Sequence, residues 1–391
     1  MRMHHCAMVC MLVTTAYGQP APGARALRGH CVTPDDFGAV GNDGKDDSDA
    51  FDELAKALRG DVAVLIPAKR YHISRTWTLP YVQGGRVMGM GGLAHHDIKL
   101  GHGLRGAGAE IAWIGEEGGT MVHVPGTNLV WDSVALYGRR KAAVGLLMLK
   151  PKDRKGLGTG KHSFRGLSVQ GCGVGIRLSD GGHNVDSCLF EYTYTEQCNV
   201  GVMLDADMAM GHYFSYLHVR KCPIAVWVRR GGDLVIRGGL NTSTGTFLKV
   251  GDERRRINPG RNNGMILIEG IKTDAQNKQM QWLDVVKGDC AITFQNCHQA
   301  WTQDGSTYPR KWVLRGEVKL TIRDSINLFG LKSFVLEPRG TSQKPNVLLD
   351  RCRVDFGRTP QEWIERDAGH WRVRVRDCFR WDGEPLADVD H

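Results

Sequence analysis

ITFQNC (292–297), LTIRDS (320–325), VLLDRC (347–352) and VRVRDC (373–378) are four versions of one pattern. Each is a strand-like run with apolar first and third residues, followed by two polar residues and a small one. The final residues of the four segments are 28, 27 and 26 positions apart. Because a repeat of about 20–50 residues is typical of solenoid proteins, the pattern predicts stacked coils.

The same pattern can be followed toward the N-terminus. Its aligned residues there are Val134, Leu167, Cys188, Leu217, Gly239 and Ile271. From position 134 to position 378 the nine intervals average about 27 residues. We therefore expect residues 131–381 to form coils of parallel β-sheet, stacked at about 4.8 Å per coil. Small residues would fall into one inward column, namely Cys188, Cys297, Ser325, Cys352 and Cys378.

A different pattern precedes the repeats. The stretch DFGAVGNDGKDDSDAF (36–51) begins as a glycine-rich loop and continues with helix-capping residues and an apolar helical period. It predicts a helix at 49–59, ended by Gly60, and then a strand at 62–66. The acidic residues do not have the alternating ligand spacing of an EF-hand, so we assign them to helix capping and not to calcium.

The stretch 36–51 resembles the opening motif of the pectate lyase superfamily, in particular that of its rhamnogalacturonase/epimerase-like branch. PA (67–68), YHI (71–73) and GAG (106–108) are similar to later parts of that motif. The resemblance implies an all-β fold, a single-stranded right-handed parallel β-helix (solenoid) with a short N-terminal capping helix. It also implies a protein that acts on or binds polysaccharide. A calcium cofactor is implied by the resemblance alone.

The resemblance does not identify catalytic residues. Polygalacturonases carry a Gly-His-Gly motif after an Asp-Asp motif. Here GHG (101–103) lies before the repeats, and the Asp-Asp pairs ahead of it, at 35–36 and 46–47, belong to the cap motif. The arginines around a proline that are typical of pectate lyases are not evident. We therefore derive the candidate site from the repeats.

The first 18 residues have the features of an export signal. A positive start, an apolar run of 11 residues and small residues precede Gln19. The run is shorter than the about 20 residues that span a bilayer. A Pro/Gly/Ala-rich linker (19–30) follows, and we expect one β-helix domain at 31–391 with its cap at 31–66. The sequence thus predicts a secreted or periplasmic protein without a membrane span.

The charge and cysteine content of the chain limit the classes of ligand that it could bind. The chain has 391 residues, with 51 Lys and Arg, 42 Asp and Glu, and a formal net charge of +9. A positive surface attracts polyanions, so an acidic polysaccharide is favoured, whereas export argues against nucleic acid. Removal of the signal leaves nine cysteines, and none is in a CxxC pair. Neither a zinc site nor a disulfide scaffold is indicated.

Charged groups gather on one predicted outer face of the middle coils. One residue after the aligned column stand His218, Lys272 and His298. Three residues after it stand Glu191, Arg220 and Asp274. Both positions point outward by the two-residue period of a strand. This face is either a solvated surface or a polysaccharide groove, and in a groove we expect substrate binding by Glu191, Asp274, His298 and Trp301.

One chemistry open to such a groove is glycoside hydrolysis. It needs two carboxyl groups roughly 5–9.5 Å apart. Asp205 and Asp207 alternate with apolar residues on a predicted strand, so both would point outward with Cα atoms about 6.7 Å apart. His212 follows closely and would assist. The alternative is that the two aspartates form a solvated strand end.

The other chemistry is eliminative cleavage or epimerisation of a uronate. A base must remove the proton next to the carboxylate, and a cation must neutralise that carboxylate. Lys272 or His218 would be the base and Arg220 the cation. The sequence indicates neither a metal site nor an oligomeric state for this chemistry.

Aromatic residues near the predicted face are Trp282 and Trp301. Sugar rings stack on exposed aromatics, and we expect Trp301 to serve in this way. In sum, the sequence predicts a secreted carbohydrate-active protein, a polysaccharide lyase/epimerase or glycoside hydrolase acting on an acidic, uronate-containing polysaccharide. The alternative is a non-catalytic glycan-binding or cell-surface structural β-helix.

Overall fold

The structure is a computed structural model, and it describes most of the chain after position 30. The described residues are 31–58, 62–81, 83–91, 108–150, 158–180, 184–206, 209–242, 244–253, 264–274, 280–286, 289–300, 311–329, 332–337, 346–354, 360–367, 371–380, 382–387 and 389–390. The predicted signal and linker, and both Asp207 and Trp301, lie outside these residues.

Helices are few and short. A 3₁₀ turn spans Pro34–Phe37, helix α1 spans Ser48–Ala57 and helix α2 spans Pro360–Trp363. The predicted helix at 49–59 is thus confirmed, with bounds one or two residues earlier. Among the described residues, no helix has the length and apolar character needed to cross a bilayer.

All other regular structure is β. In the first third of the chain the strands are β1 Cys31–Val32, β2 Ala63–Ile66, β3 Arg70–Ile73, β4 Trp77–Thr78, β5 Gln83–Gly89, β6 Ala109–Trp113, β7 Thr120–Val124, β8 Thr127–Asp132, β9 Val134–Tyr137 and β10 Val144–Met148. In the middle they are β11 Thr159–Gly160, β12 Ser163–Arg165, β13 Ser168–Gln170, β14 Val174–Leu178, β15 Val185–Asp186, β16 Leu189–Glu196, β17 Val200–Asp205, β18 Ala209–Met210, β19 His212–Arg220, β20 Ile224–Arg230, β21 Leu234–Thr242 and β22 Thr246–Val250. The last are β23 Met265–Asp274, β24 Gln281–Val285, β25 Asp289–Gln295, β26 His298–Gln299, β27 Lys311–Arg315, β28 Glu317–Arg323, β29 Phe334–Glu337, β30 Asn346–Asp350, β31 Arg353–Val354, β32 Ile364–Asp367, β33 Arg372–Arg376, β34 Phe379–Arg380 and β35 Val389–Asp390.

Within the described residues the strands form an 11-stranded sheet, a 22-stranded sheet and a separate pair, β31–β34. Each strand of the 11-stranded sheet pairs in parallel with the equivalent strand of the next coil, as β17 does with β20. The strands of the 22-stranded sheet also stack in parallel, except for the antiparallel pair β33–β35. This is a parallel β-solenoid, so the predicted fold class is confirmed.

At one corner of each coil, a left-handed residue bends the 22-stranded sheet into two halves. We call these positions the corner residues: Ser133, Gly166, Tyr192, Tyr216, Gly238, Gly270, Asn296, Asp324, Arg351 and Asp377, with φ between 49° and 69°. In the middle coils a single strand, such as β16, β19, β21 or β23, runs through the corner. The residue after the corner points inward, and the next one points outward.

The inward residues after the corner form the predicted column, with one exception. Leu217 pairs with Gly239 and Gly239 with Ile271, and Cys297, Ser325, Cys352 and Cys378 continue the stack. The assignment of Cys188 to this column is wrong. Thr193 occupies that place, paired with Leu217. All cysteines in the described part of the chain are free.

Stacked aromatic residues fill the interior. Phe190 lies parallel to Phe164 and Phe214, with ring centroids 4.9 and 4.3 Å apart. Trp282 stacks on Trp312 at 6.0 Å and is fully buried. The prediction that Trp282 lies near the outer face is wrong, because its strand, β24, turns the ring into the core.

Candidate functional site

The pairing of β16, β19, β21, β23 and β26 fixes one column of side chains. We call it the Lys272 column, and from coil to coil it contains Tyr194, His218, Leu240, Lys272 and His298. His218, Lys272 and His298 therefore do lie in one column, as the repeat alignment predicts. At about 4.8 Å per coil, His298 neighbours Lys272, and His218 lies about 10 Å away.

A second column runs beside it, two residues further along each strand. It contains Glu196, Arg220, Thr242 and Asp274. Arg220 and Asp274 thus occupy the position predicted for them. The placement of Glu191 with them is wrong, because the corner at Tyr192 aligns Glu196 with Arg220.

Glu191 belongs to the other half of the large sheet, before the corner. It lies in a surface column of alternating charge that contains Arg165, Glu191, Ser215, Arg237 and Glu269. Arg237 Nε lies 2.8 Å from Glu269 Oε2 in this column. Such exposed pairs contribute little to stability. Glu191 is therefore separated by the corner from the columns that hold Lys272 and Arg220.

The N-terminal end of the two columns is closed by a hydrogen-bonded cluster. The Tyr194 hydroxyl donates to Glu196 Oε2 at 2.8 Å, and Arg220 Nη1 lies 3.2 Å from Glu196 Oε1. The His218 ring packs edge-on against Tyr194 with centroids 4.9 Å apart. Burial, aided by the charge of Glu196, raises the pKa of Tyr194. Tyr194, Glu196 and His218 are all buried, so His218 is poorly placed to touch a polymer.

The C-terminal end of the same columns opens into a groove of about 720 Å³. We call it the Lys272 groove, and its lining consists of Tyr216, Gly238, Gly239, Leu240, Gly270, Lys272, Asp274 and Ala300. Three glycines leave its floor without side chains. Lys272 is exposed at its wall, and Asp274 is half-buried on the same strand. The groove thus combines a solvent-accessible amine with a carboxylate two residues away.

Asp205 has a different environment from the one predicted. Its side chain is fully buried among three arginines, 3.0 Å from Arg177 Nη2, 3.2 Å from Arg229 Nη1 and 3.3 Å from Arg230 Nε. Arg229 also binds Asp252 at 2.6 Å. The prediction that Asp205 presents an accessible carboxylate is wrong, because guanidinium groups surround it. Its predicted partner Asp207 lies outside the described residues.

His212 lies in the core. It belongs to an inward column with Cys188 and Leu234, and its side chain is fully buried. Burial lowers its pKa from 6.5 to about 4, as it does for His162 two coils earlier. The expectation that His212 assists chemistry on the outer face is contradicted by this inward position.

Two exposed tyrosines were missed by the sequence analysis. Tyr192 and Tyr216 are neighbouring corner residues, with ring centroids 5.9 Å apart, and Tyr216 borders the Lys272 groove. The repeat alignment contained the signal for Tyr216 alone, because it placed Cys188 and not Thr193 in the inward column. Each tyrosine directly precedes an inward residue, where the C-terminal repeats carry Asn296 or Asp324.

A basic depression lies beside the second column. It measures about 670 Å³, and its charged lining residues are Arg140, Lys141, Lys221 and Glu117. Lys221 directly follows Arg220, so this depression adjoins the Tyr194 cluster. No group of three or more His, Cys, Asp or Glu side chains among the described residues could hold a metal ion.

No family sequence model matches the chain, and no curated protein matches it in sequence. Solved structures do match. The catalytic domain of a GH87 α-1,3-glucanase, determined in complex with tetrasaccharides, has a TM-score of 0.50 and 10% identity, over 90% of this chain and 69% of that one. This chain has the pectin-lyase-like right-handed β-helix fold.

Two further solved structures are similar to this chain. The exopolygalacturonase of Thermotoga maritima has a TM-score of 0.48 and 10% identity, over 93% of this chain and 94% of that one. ORF18 of Geobacillus virus E2 has a TM-score of 0.49 and 13% identity over 89% of this chain. The chain spans 61% of the length of that viral protein. At such identities the likeness concerns the fold.

Proposed function

We propose that this β-helix protein acts on an acidic, uronate-containing polysaccharide as a lyase or epimerase, by removing the proton next to the sugar carboxylate. The observation that carries the proposal is the position of Lys272. Its side chain is exposed in the wall of a groove of about 720 Å³, in one column with His298 and beside Asp274.

Lys272 is the base in this proposal. A general base must come within hydrogen-bond reach of the proton that it removes. Lys272 reaches the groove, whereas His218 is buried behind Tyr194. We keep Arg220 as the cation that neutralises the substrate carboxylate; its guanidinium contacts Glu196 at the closed end of the two columns. His298 and Asp274 would bind the hydroxyl groups of the sugar.

Proton abstraction fits the groove better than hydrolysis does. Hydrolysis by the usual route uses two carboxyl groups that flank the scissile bond. Among the described residues that line the Lys272 groove, Asp274 is the only one with a carboxylate. A single carboxylate beside an amine supports removal of a proton and gives no second acid for hydrolysis.

The charge distribution supports an acidic substrate. The formal net charge is +9, and the basic depression with Arg140, Lys141 and Lys221 adjoins the closed end of the two columns. A polyanion that enters the groove could therefore continue along a positive surface. The predicted export signal at residues 1–18 also supports such a substrate, because export would bring the protein to extracellular polysaccharides.

The test is an activity assay on polygalacturonate, alginate and hyaluronan, with a neutral glucan as a negative substrate. We expect unsaturated uronates, seen by their ultraviolet absorbance, or an altered epimer content in one of the acidic glycans. Lys272→Ala should lower turnover at least about 100-fold, as loss of a general base does. Lys319→Ala, at an exposed strand position of β28, is the matched control.

Equal turnover of the Lys272→Ala and Lys319→Ala variants would contradict the assignment of the base. Binding of an acidic glycan without any product would favour the alternative, a non-catalytic glycan-binding β-helix.

A further inference from the structure

Two corner residues of the solenoid have a strained backbone conformation. Tyr192 and Tyr216 adopt left-handed backbone angles, with φ of 52° and 64°. This region suits Gly, Asn and Asp, and a bulky side chain there is strained. The corner residues of the other coils are Ser133, Gly166, Gly238, Gly270, Asn296, Asp324, Arg351 and Asp377. Apart from Arg351, these are small residues or Asn and Asp, whereas tyrosine occurs in two consecutive coils.

Both tyrosines lie on the surface of the solenoid. The side chains of Tyr192 and Tyr216 are among the most exposed large hydrophobic groups of the described residues, at 51% and 43%. Their ring centroids are 5.9 Å apart and the ring planes are inclined by 39°. Backbone strain of this kind often occurs at ligand-binding sites. The two rings form a continuous aromatic surface open to solvent, which we call the tyrosine platform.

The platform leads into the Lys272 groove. Tyr216 borders that groove, and the next two corner residues along it are Gly238 and Gly270. A Cβ atom built on Gly238 would meet no atom within 4 Å, so the space above it is open. An extended ligand that lies on the rings can therefore continue across a glycine floor to Lys272.

We propose that the tyrosine platform is a stacking subsite for the pyranose rings of a polysaccharide whose neighbouring units enter the Lys272 groove. The apolar C–H face of a sugar packs on an aromatic ring and leaves its hydroxyl and carboxylate edges in solvent. An extended glycan has the shape that fits an open platform continuous with a groove. This subsite rests on the proposed function for the identity of its ligand.

The test uses the double variant Tyr192→Gly/Tyr216→Gly. Glycine accepts the left-handed angles without strain, so the variant should fold and should unfold at an equal or higher temperature. The probes are oligogalacturonate and oligoalginate of several lengths, with binding measured by calorimetry and gel affinity electrophoresis. We expect each ring to contribute about 3- to 10-fold in affinity, and only for oligosaccharides long enough to cover platform and groove together.

Asn296→Gly is the matched control, because it introduces glycine at another corner residue without removal of an aromatic ring. It should leave affinity unchanged. Unchanged affinity of the double variant would overturn the subsite, as would a wild-type protein that binds neither probe. A fall in unfolding temperature equal to that of a core variant would show that the rings are structural, and would also overturn it.

The same measurements separate this subsite from the proposed function. Lys272→Ala should abolish turnover and retain platform-dependent binding. If the wild-type protein shows tyrosine-dependent binding but no turnover, the proposed chemistry fails and the subsite stands.

Discussion

At the scale of single residues, Asp205 shows how a polar side chain can be important for folding stability although it cannot reach a substrate. Three arginine side chains surround its buried carboxylate. Removal of one member of a buried ion pair leaves the other charges uncompensated, at a cost of about 3–5 kcal/mol. We predict that Asp205→Asn lowers the free energy of unfolding by an amount in this range, and that the urea midpoint falls with it.

Glu53→Gln is the control for that variant, because Glu53 pairs with Lys56 on the exposed face of α1. It should leave the midpoint unchanged. A stable Asp205→Asn protein that has lost turnover would instead point to a catalytic role for Asp205.

The two buried histidines predict an acid-sensitive fold. The pKa values of His162 and His212 are lowered from 6.5 to about 4 because burial disfavours the charged imidazole, with a small opposing effect of Asp233 on His212. The unfolded chain therefore binds more protons between pH 6.5 and pH 4. Stability is fully present above pH 6.5 and is lost as the pH falls toward 4, by up to about 3 kcal/mol for each histidine.

His212→Leu should reduce this loss, since leucine suits a column in which Leu234 is the next residue. The measurement is the urea midpoint from pH 7 to pH 4.5. Equal pH dependence of His212→Leu and wild type would contradict the buried position.

At the scale of elements, the corner of each coil depends on two adjacent positions with different requirements. A Cβ atom on Gly238 would meet nothing within 4 Å, whereas one on Gly239 would lie 2.0 Å from the carbonyl oxygen of Leu217. Gly238→Ala should therefore cost only the left-handed strain, about 1 kcal/mol. Gly239→Ala should cost about 3 kcal/mol or more, since the backbone of β19 cannot yield easily.

Thermal unfolding of the two glycine variants provides the measurement. Equal falls in unfolding temperature for Gly238→Ala and Gly239→Ala would contradict the different packing of the two positions.

The corner also explains which parts of the fold could be predicted. The period and the inward column were predictable because Cys297, Ser325, Cys352 and Cys378 repeat at one place in the coil. Cys188 was misaligned because it also follows a left-handed residue, Ser187, and also points inward, at an earlier turn of the same coil.

The orientation of Asp205 was not predictable from alternation for a related reason. The register of β17 against β20 shifts between Leu204 and Asp205, so the two-residue period does not continue through the bulge. The ring pair at Tyr192 and Tyr216 depends on coil-to-coil contact, which a single repeat does not contain.

At the scale of the whole molecule, a β-solenoid has ends whose unpaired strand edges favour association. Helix α1 covers the first coil, with the Phe51 ring edge-on to Tyr71 and Trp77 at 5.7 and 5.0 Å. Phe51→Ala should destabilise the protein by about 3–5 kcal/mol and expose that end. We predict that Phe51→Ala self-associates, which sedimentation velocity would measure. Phe379→Ala, at an exposed site, should sediment like the wild-type protein.

A Phe51→Ala protein that remains monodisperse and fully stable would show that α1 does not protect the first coil.

The central claim is that this solenoid removes the proton next to a uronate carboxylate with Lys272. The most direct measurement is incubation of a polyuronate in deuterium oxide, followed by NMR of the polymer and its products. We predict that wild-type protein exchanges that proton for deuterium or leaves an unsaturated uronate in its place, and that Lys272→Ala does neither. Retention of the original proton on every uronate tested, or the same exchange by Lys272→Ala, would contradict the claim.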